Sequence, residues 1–207
     1  MGYKTEQEIF WAGDFGDEYA LRNESETIVA SNTMLFSKVL SATEKIESII
    51  EFGANIGMNL RALQHLLPNV RASAIEINQK AADRLRELND IEVYQTSILE
   101  YQPVDLFDLV LIKGVLIHIN PDELPSVYDK LFASTRRYLL VAEYYNPSPV
   151  SVDYRNNKDR LFKRDFAGEL LDRFNSLRLL DYGFCYHRDN QFPLDDITWF
   201  LLEKEKN

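Results

Sequence analysis

The chain has 207 residues, 45% hydrophobic and 27% charged, with 23 Lys and Arg against 33 Asp and Glu for a formal net charge of −10. That length gives room for one good core and too little for two ordinary domains, and the acidic balance argues against binding nucleic-acid backbones, which takes clustered Lys and Arg. The single cysteine, Cys185, excludes an internal disulfide and any cysteine-built zinc site.

Residues 1 to about 42 read as helical and lie outside the strand pattern that follows. Within them Trp11, Phe15 and Tyr19 stand at i, i+4 and i+8, one stripe of a helix. The start, "MGYKTEQEIF", carries no apolar signal region, and the longest apolar stretch, "DLVLIKGVLIHI", is broken by Lys113 and too short for a bilayer. The expectation is a cytoplasmic protein, monomer or homodimer, with no membrane and no nucleic-acid partner.

From residue 45 onward, short apolar runs alternate with amphipathic helical patterns, as in a parallel sheet covered by helices. The β-branched run "IESIIEF" enters the loop "GANIG". The helix "MNLRALQHLLP" follows, with Leu60, Leu63 and Leu67 on one face and a stop at Pro68. "VRASAIEI" reads as a second strand and "NQKAADRLRELND" as a helix with Asn78 at its N-cap. "IEVYQT" and "LFDLVLI" are the third and fourth strands, residues 120–134 a helix, and "RRYLLVAEY" the fifth strand. "NPSPVSVDYRNNKD" reads as loop. After a helix over "RDFAGELLDRF", the runs "LRLLDYGFCYH" and "DDITWFLLEK" form an antiparallel pair. The latter is apolar on both faces and so internal to the sheet. No repeat or linker interrupts this, so residues 1–207 read as one domain.

The loop after the first strand carries the chemistry. A strand, a glycine loop and a helix place backbone N–H groups and a positive helix end at the carboxyl edge of a sheet. Dinucleotide binding would want glycines at 53, 55 and 58, but the chain has Gly53, Asn55 and Met58, and no Tyr-x-x-x-Lys pair supports a sugar oxidoreductase. The series Glu51, Gly53, Asn55, Gly57 instead resembles the acidic-x-G-x-G-x-G loop of class I S-adenosylmethionine (SAM) methyltransferases. Only its middle glycine is replaced, and by the residue that best tolerates positive φ after glycine. Each element alone also suits an ordinary turn or a solvated strand end. In that order on those elements they point to SAM. Glu76, with Ile77 beside it, ends the second strand where a carboxylate can accept both ribose hydroxyls. Ser97 and Ile98 follow the third strand beside the adenine.

The chain also resembles a narrower family, the pseudaminic acid biosynthesis-associated methylases. The likeness is carried by "FWAGDFGDEYALRN", "LIKGVLIHINPDELP", "YRNNKDRLFKRDFAGELLDRF" and "DYGFCYHRDNQFPLDDITWFLLEK". It implies a Rossmann-like class I methyltransferase, with a seven-stranded, mostly parallel α/β sheet, an antiparallel last strand and an N-terminal helical lid. It also implies a small acceptor, a nonulosonic acid or related activated sugar or nucleotide-sugar. On this likeness Phe15, Tyr19 and Arg22 reach the cofactor, with Arg22 pairing its carboxylate and aromatic faces meeting the sulfonium.

Methyl transfer needs an aligned acceptor and, for a hydroxyl, a base. Lys113 and Gly114 end the fourth strand, where backbone carbonyls meet the cofactor's ammonium, and His118 follows as the candidate base or as a pocket-lining residue. Tyr144, Tyr145, Tyr154, Arg155, Lys163, Arg164, Asp165 and His187 are the candidate acceptor contacts. No metal-ligand spacing appears. A non-catalytic SAM-binding scaffold and a methyltransferase of proteins remain open on these residues.

Overall fold

The structure is a computed structural model that describes residues 2–22, 25–154 and 157–205. It opens with three helices, α1 (Glu6–Ala12), α2 (Asp14–Arg22) and α3 (Glu26–Leu40). A capping box starts α1: the Thr5 hydroxyl accepts from the Glu8 backbone, and the Glu8 carboxylate accepts from the Thr5 N–H at 2.9 Å. Gly13 separates α1 from α2, so the aromatic stripe expected on one helix is divided between two. Its rings still meet, with Trp11 5.3 Å from Phe15 and 5.2 Å from Tyr19 between centroids.

The strands and helices then alternate: β1 (Ser48–Phe52), α4 (Met58–Leu66), β2 (Arg71–Glu76), α5 (Gln79–Arg86), β3 (Ile91–Gln95), β4 (Phe107–Lys113), α6 (Leu124–Ser134) and β5 (Thr135–Glu143). After them come β6 (Val150–Tyr154), β7 (Asn157–Lys163), α7 (Phe166–Arg173), β8 (Leu177–Cys185) and β9 (Ile197–Lys204). The main sheet has seven strands in the order β3-β2-β1-β4-β5-β9-β8. β1 to β5 are parallel, and β9 runs antiparallel to both β5 and β8. This is the expected sheet, with the last strand internal.

Alternation along the strands sends one apolar set to each face. Leu109 and Leu111 of β4, with Leu201 of β9, pack against Leu35 and Phe36 of α3 and Leu60 and Leu63 of α4. Val110, Ile112 and Leu202 turn to the other side, onto Leu131 of α6 and Leu170 of α7.

One reading is corrected. The stretch expected as loop, "NPSPVSVDYRNNKD", holds β6 and the start of β7, which pair as a hairpin, Val150 with Lys163 and Val152 with Leu161. Val150, Val152 and Tyr154 do alternate with Ser151 and Asp153, the period of a strand. Asn146, Pro147 and Pro149 hide it, because they precede the strand and do not interrupt it. Arg155 lies outside the described residues.

Candidate active site

The carboxyl ends of β1, β2 and β4, covered by α1 and α2, enclose a cavity of about 430 Å³. Its floor is the loop between β1 and α4. Gly53, Asn55 and Gly57 all take positive φ, at 77°, 50° and 83°. The N–H groups of Gly53 and Ala54 donate to the Ile75 carbonyl, which ties the loop to β2. A Cβ on Gly53 would lie 2.7 Å from a Val115 methyl, so glycine is required there by packing as well as by backbone angle. Gly53 and Asn55 line the cavity, whereas Gly57 supports it from behind, against Leu85 and Leu88.

Glu76 and Ile77 line the cavity at the tip of β2. The Glu76 carboxylate is buried and accepts the N–H of Asn55 and that of Asn78, each at 2.7 Å. Burial raises its pKa against the pull of those donors. It therefore holds the loop in place while facing the cavity. Ser97 and Ile98 line the same end.

At the opposite end lies a group of polar side chains short of partners. Glu51 is fully buried beneath the loop. One of its oxygens accepts from the Asn59 amide at 2.6 Å, and the other has no partner among the described residues. Burial pushes its pKa up to about 8. Asn59 and Asn32 line the cavity, and neither amide atom of Asn32 has a partner among the described residues although the residue is buried. Lys113, half-buried on the wall, has its pKa lowered by burial against the opposing influence of Glu51. Nothing in the sequence of α3 marks Asn32, which gains meaning only when α3 docks beside β1 and β4.

Gly114, at φ 67°, turns the chain out of β4 into a 3₁₀ turn over Leu116–His118. The buried Glu143 carboxylate fixes this turn by accepting the N–H groups of Val115 and Leu116 at 3.0 and 2.9 Å, and burial pushes its pKa up to about 7. Sequence reasoning missed Glu143. Its signal was an acidic residue at the end of the apolar run "YLLVAE". His118 lines the cavity, its ring against Trp11 (4.7 Å) and Tyr154 (4.9 Å), and its Nδ1 lies 2.6 Å from the Arg160 carbonyl. A carbonyl can only accept, so Nδ1 carries a proton. Burial pushes its pKa down to about 4.

The cover is latched at several points. Asn78, N-cap of α5 through its Oδ1, donates its amide to the Trp11 carbonyl at 3.3 Å and to Asp17 at 2.8 Å. Ion pairs join Lys4 to Glu100 (2.7 Å), Asp17 to Lys80 (2.5 Å) and Glu6 to Arg160 (3.0 Å). Trp11, Gly16 and Tyr19 line the cavity. Phe15 and Arg22 do not: Phe15 stacks on Phe10, and Arg22 is exposed with its guanidinium 5.7 Å from the Phe15 ring.

The β8–β9 connection closes the remaining side with His187, Leu194 and Asp195. Of the other candidate acceptor contacts, Tyr154 meets His118, and Lys163 sits 5.1 Å over the ring of the half-buried Tyr144, whose hydroxyl bonds Asp195. Tyr145, Arg164 and Asp165 are not brought to the cavity. Tyr145 lies by Phe200, Arg164 pairs with Glu169 at 2.6 Å, and Asp165 caps α7 by accepting the Gly168 N–H at 2.8 Å. Asp165→Ala is accordingly expected to lower stability by about 1 kcal/mol in urea unfolding, with ligand binding in the cavity unchanged. Among the described residues no cluster of His, Cys, Asp or Glu could hold a metal ion, and no helix is long and apolar enough to cross a membrane.

No protein-family model matches the chain, and no curated protein matches it. Solved structures do. N-methyltransferase NodS from Bradyrhizobium japonicum WM9, in complex with S-adenosylhomocysteine (SAH), is 17% identical, with 97% of each chain covered and a TM-score of 0.66. The 1,6-didemethyltoxoflavin-N1-methyltransferase of Burkholderia thailandensis, with bound SAH, is 12% identical over 96% of this chain and 87% of that one, at a TM-score of 0.70. Magnesium protoporphyrin IX methyltransferase from Synechocystis PCC 6803, with bound SAH, is 11% identical over 98% and 100%, also at 0.70. At such identities the likeness is one of architecture: the chain has the fold of the class I SAM-dependent methyltransferases.

Proposed function

We propose that this protein is a SAM-dependent methyltransferase acting on a small acceptor, a nonulosonic acid or a related activated sugar. The observation that carries the cofactor half is the cavity's own shape and chemistry. A left-handed glycine loop leaves room for a ligand against its backbone, and Glu76 stands at the next strand's tip. The Asn32 amide and the Asn59 Oδ1, buried and without partners among the described residues, stand ready for polar groups of a ligand. These features fit SAM, with its ribose at Glu76 and its amino-acid end among Glu51, Asn59 and Asn32. When bound, SAM supplies an electrophilic methyl group on a sulfonium.

The protein's part is to bind, orient and exclude water. Trp11 and Tyr19 line the cavity with His118 and His187, and their aromatic faces favour a cation, while Tyr154 packs on the His118 ring. The acceptor reading is supported by the resemblance to the pseudaminic acid-associated methylases and by the polar His187 and Asp195 on the cavity wall, suited to hydroxyl groups.

The test is incubation with methyl-labelled SAM and a panel of nonulosonic acids and nucleotide-sugars, read by mass spectrometry, with SAH binding measured by calorimetry. Labelled product is expected. SAH binding with no label in any acceptor would favour a non-catalytic binding protein. Tyr19→Ala, measured the same way with SAM, is expected to weaken binding by about tenfold, the scale of one desolvated aromatic contact with the sulfonium that SAH lacks. Arg22→Ala, outside the cavity wall, should change it by less than about threefold. Equal losses in the two variants would place Arg22 on the ligand.

A further inference from the structure

We infer that the proton acceptor of this methyl transfer is Nε2 of His187, held in its working tautomer by Asp196. The inference rests on the methyltransferase reading above and adds a catalytic pair to it. His187 Nδ1 lies 2.8 and 3.0 Å from the two carboxylate oxygens of Asp196, whose Oδ1 also accepts the His187 backbone N–H at 3.1 Å. These bonds hold the Asp196 carboxyl below its ordinary pKa, so it is ionised and can only accept. Nδ1 therefore carries a proton, so a neutral ring has its lone pair on Nε2.

Position completes the argument. His187 lines the cavity together with its neighbours Leu194 and Asp195, yet about half of its side chain faces solvent (54% exposed). The step balances in that setting. The acceptor hydroxyl gives its proton to Nε2 as its oxygen bonds the methyl carbon, the C–S electron pair stays on sulfur, and the imidazolium, stabilised by Asp196, releases the proton to water. His118 lacks both advantages. Its Nδ1 meets a carbonyl where His187 meets a carboxylate, and its burial disfavours the cationic form the step would create. His118 is then a neutral wall of the chamber, packed between Trp11 and Tyr154.

With only three histidines in the chain, the ring nitrogens can be observed one by one. Protein labelled with ¹⁵N-histidine, assigned with His65→Gln and His118→Gln, is compared with and without saturating SAH. His187 should show the Nδ1–H tautomer, lose that preference in Asp196→Asn, and shift on SAH binding. In turnover with any acceptor the wild type labels, His187→Gln should lower kcat by about 10²- to 10⁴-fold while calorimetry finds SAH affinity within about threefold of wild type. An Nε2–H tautomer, a His187 ring indifferent to bound SAH, or a His187→Gln enzyme with kcat intact would each overturn the inference. If the wild type fails to bind SAH at all, the cofactor reading falls and takes this one with it. Bound SAH that leaves His187 unmoved overturns this one alone.

Discussion

Glu51→Gln should make the protein more stable above neutrality while weakening its hold on SAH. The folded protein keeps Glu51 in a site with no exposure, and burial raises its pKa from 4.5 to about 8. An unfolded chain releases that proton near its ordinary value. Between pH 4.5 and about 8 the folded state therefore binds one more proton than the unfolded state. Stability falls by about 1.4 kcal/mol per pH unit, or about 5 kcal/mol across the window. The contribution is fully present below pH 4.5 and lost as pH rises through about 8. Glutamine keeps the shape, and its carbonyl can still accept from Asn59, but it has no proton to lose. Urea unfolding of both proteins between about pH 5 and pH 8 tests this. The wild type should lose stability more steeply with pH than the variant. Parallel curves would show that Glu51 is ionised in the fold after all. The weaker binding expected of the variant follows because a bound ammonium would draw Glu51 into its ionised form, which glutamine cannot take, and this sets stability against function at one residue.

Gly16→Ala should unseat the cover and lower SAH affinity by about ten- to hundredfold. An ideal Cβ there lies 1.9 Å from the Trp11 carbonyl oxygen and 2.9 Å from the Asn78 amide nitrogen. The first is backbone and cannot swing aside, so α1 and α2 must move apart. The second is the residue that ties both to α5. Overpacking of this kind costs about 1–3 kcal/mol, and it falls on the cover, far from the two cores on either side of the sheet. Calorimetry with SAH reads the loss, and Gly2→Ala, whose added Cβ meets nothing within 4 Å, serves as control. An alanine at 16 that binds SAH as the wild type does would show that the cover contributes nothing to binding.

Much of the architecture was legible because each strand and its following helix announce themselves locally. "IIEF", "DLVLI" and "LLVAE" are strand-length apolar runs, and Leu60 and Leu63 keep helical spacing. The antiparallel β9 could be placed inside the sheet from its two apolar faces. The loop was legible from backbone chemistry: Asn55, standing where a third glycine would, takes φ 50° as its side chain allows. What escaped depends on contacts far apart in sequence. Asn32 is an ordinary polar residue of a helix until α3 buries it against the cavity. Glu143 looks like a strand end until it holds the turn of His118. Tyr144 and Tyr145 are neighbours in the chain, but successive residues of an extended segment face opposite ways, and only Tyr144 turns toward Asp195. Asp165 could have been read as a helix cap from its place before "FAGELL", had the nearby charges not suggested a ligand.

The ion pairs that pin the cover have a kinetic consequence. Lys4–Glu100, Asp17–Lys80 and Glu6–Arg160 each involve at least one well-exposed partner, so each is individually weak and open to screening by dissolved ions. The aromatic contacts beneath them are not screened in that way. Raising ionic strength should therefore hasten departure of a spent cofactor more than it disturbs the groove that held it, making turnover faster in brine wherever product escape is the slow event.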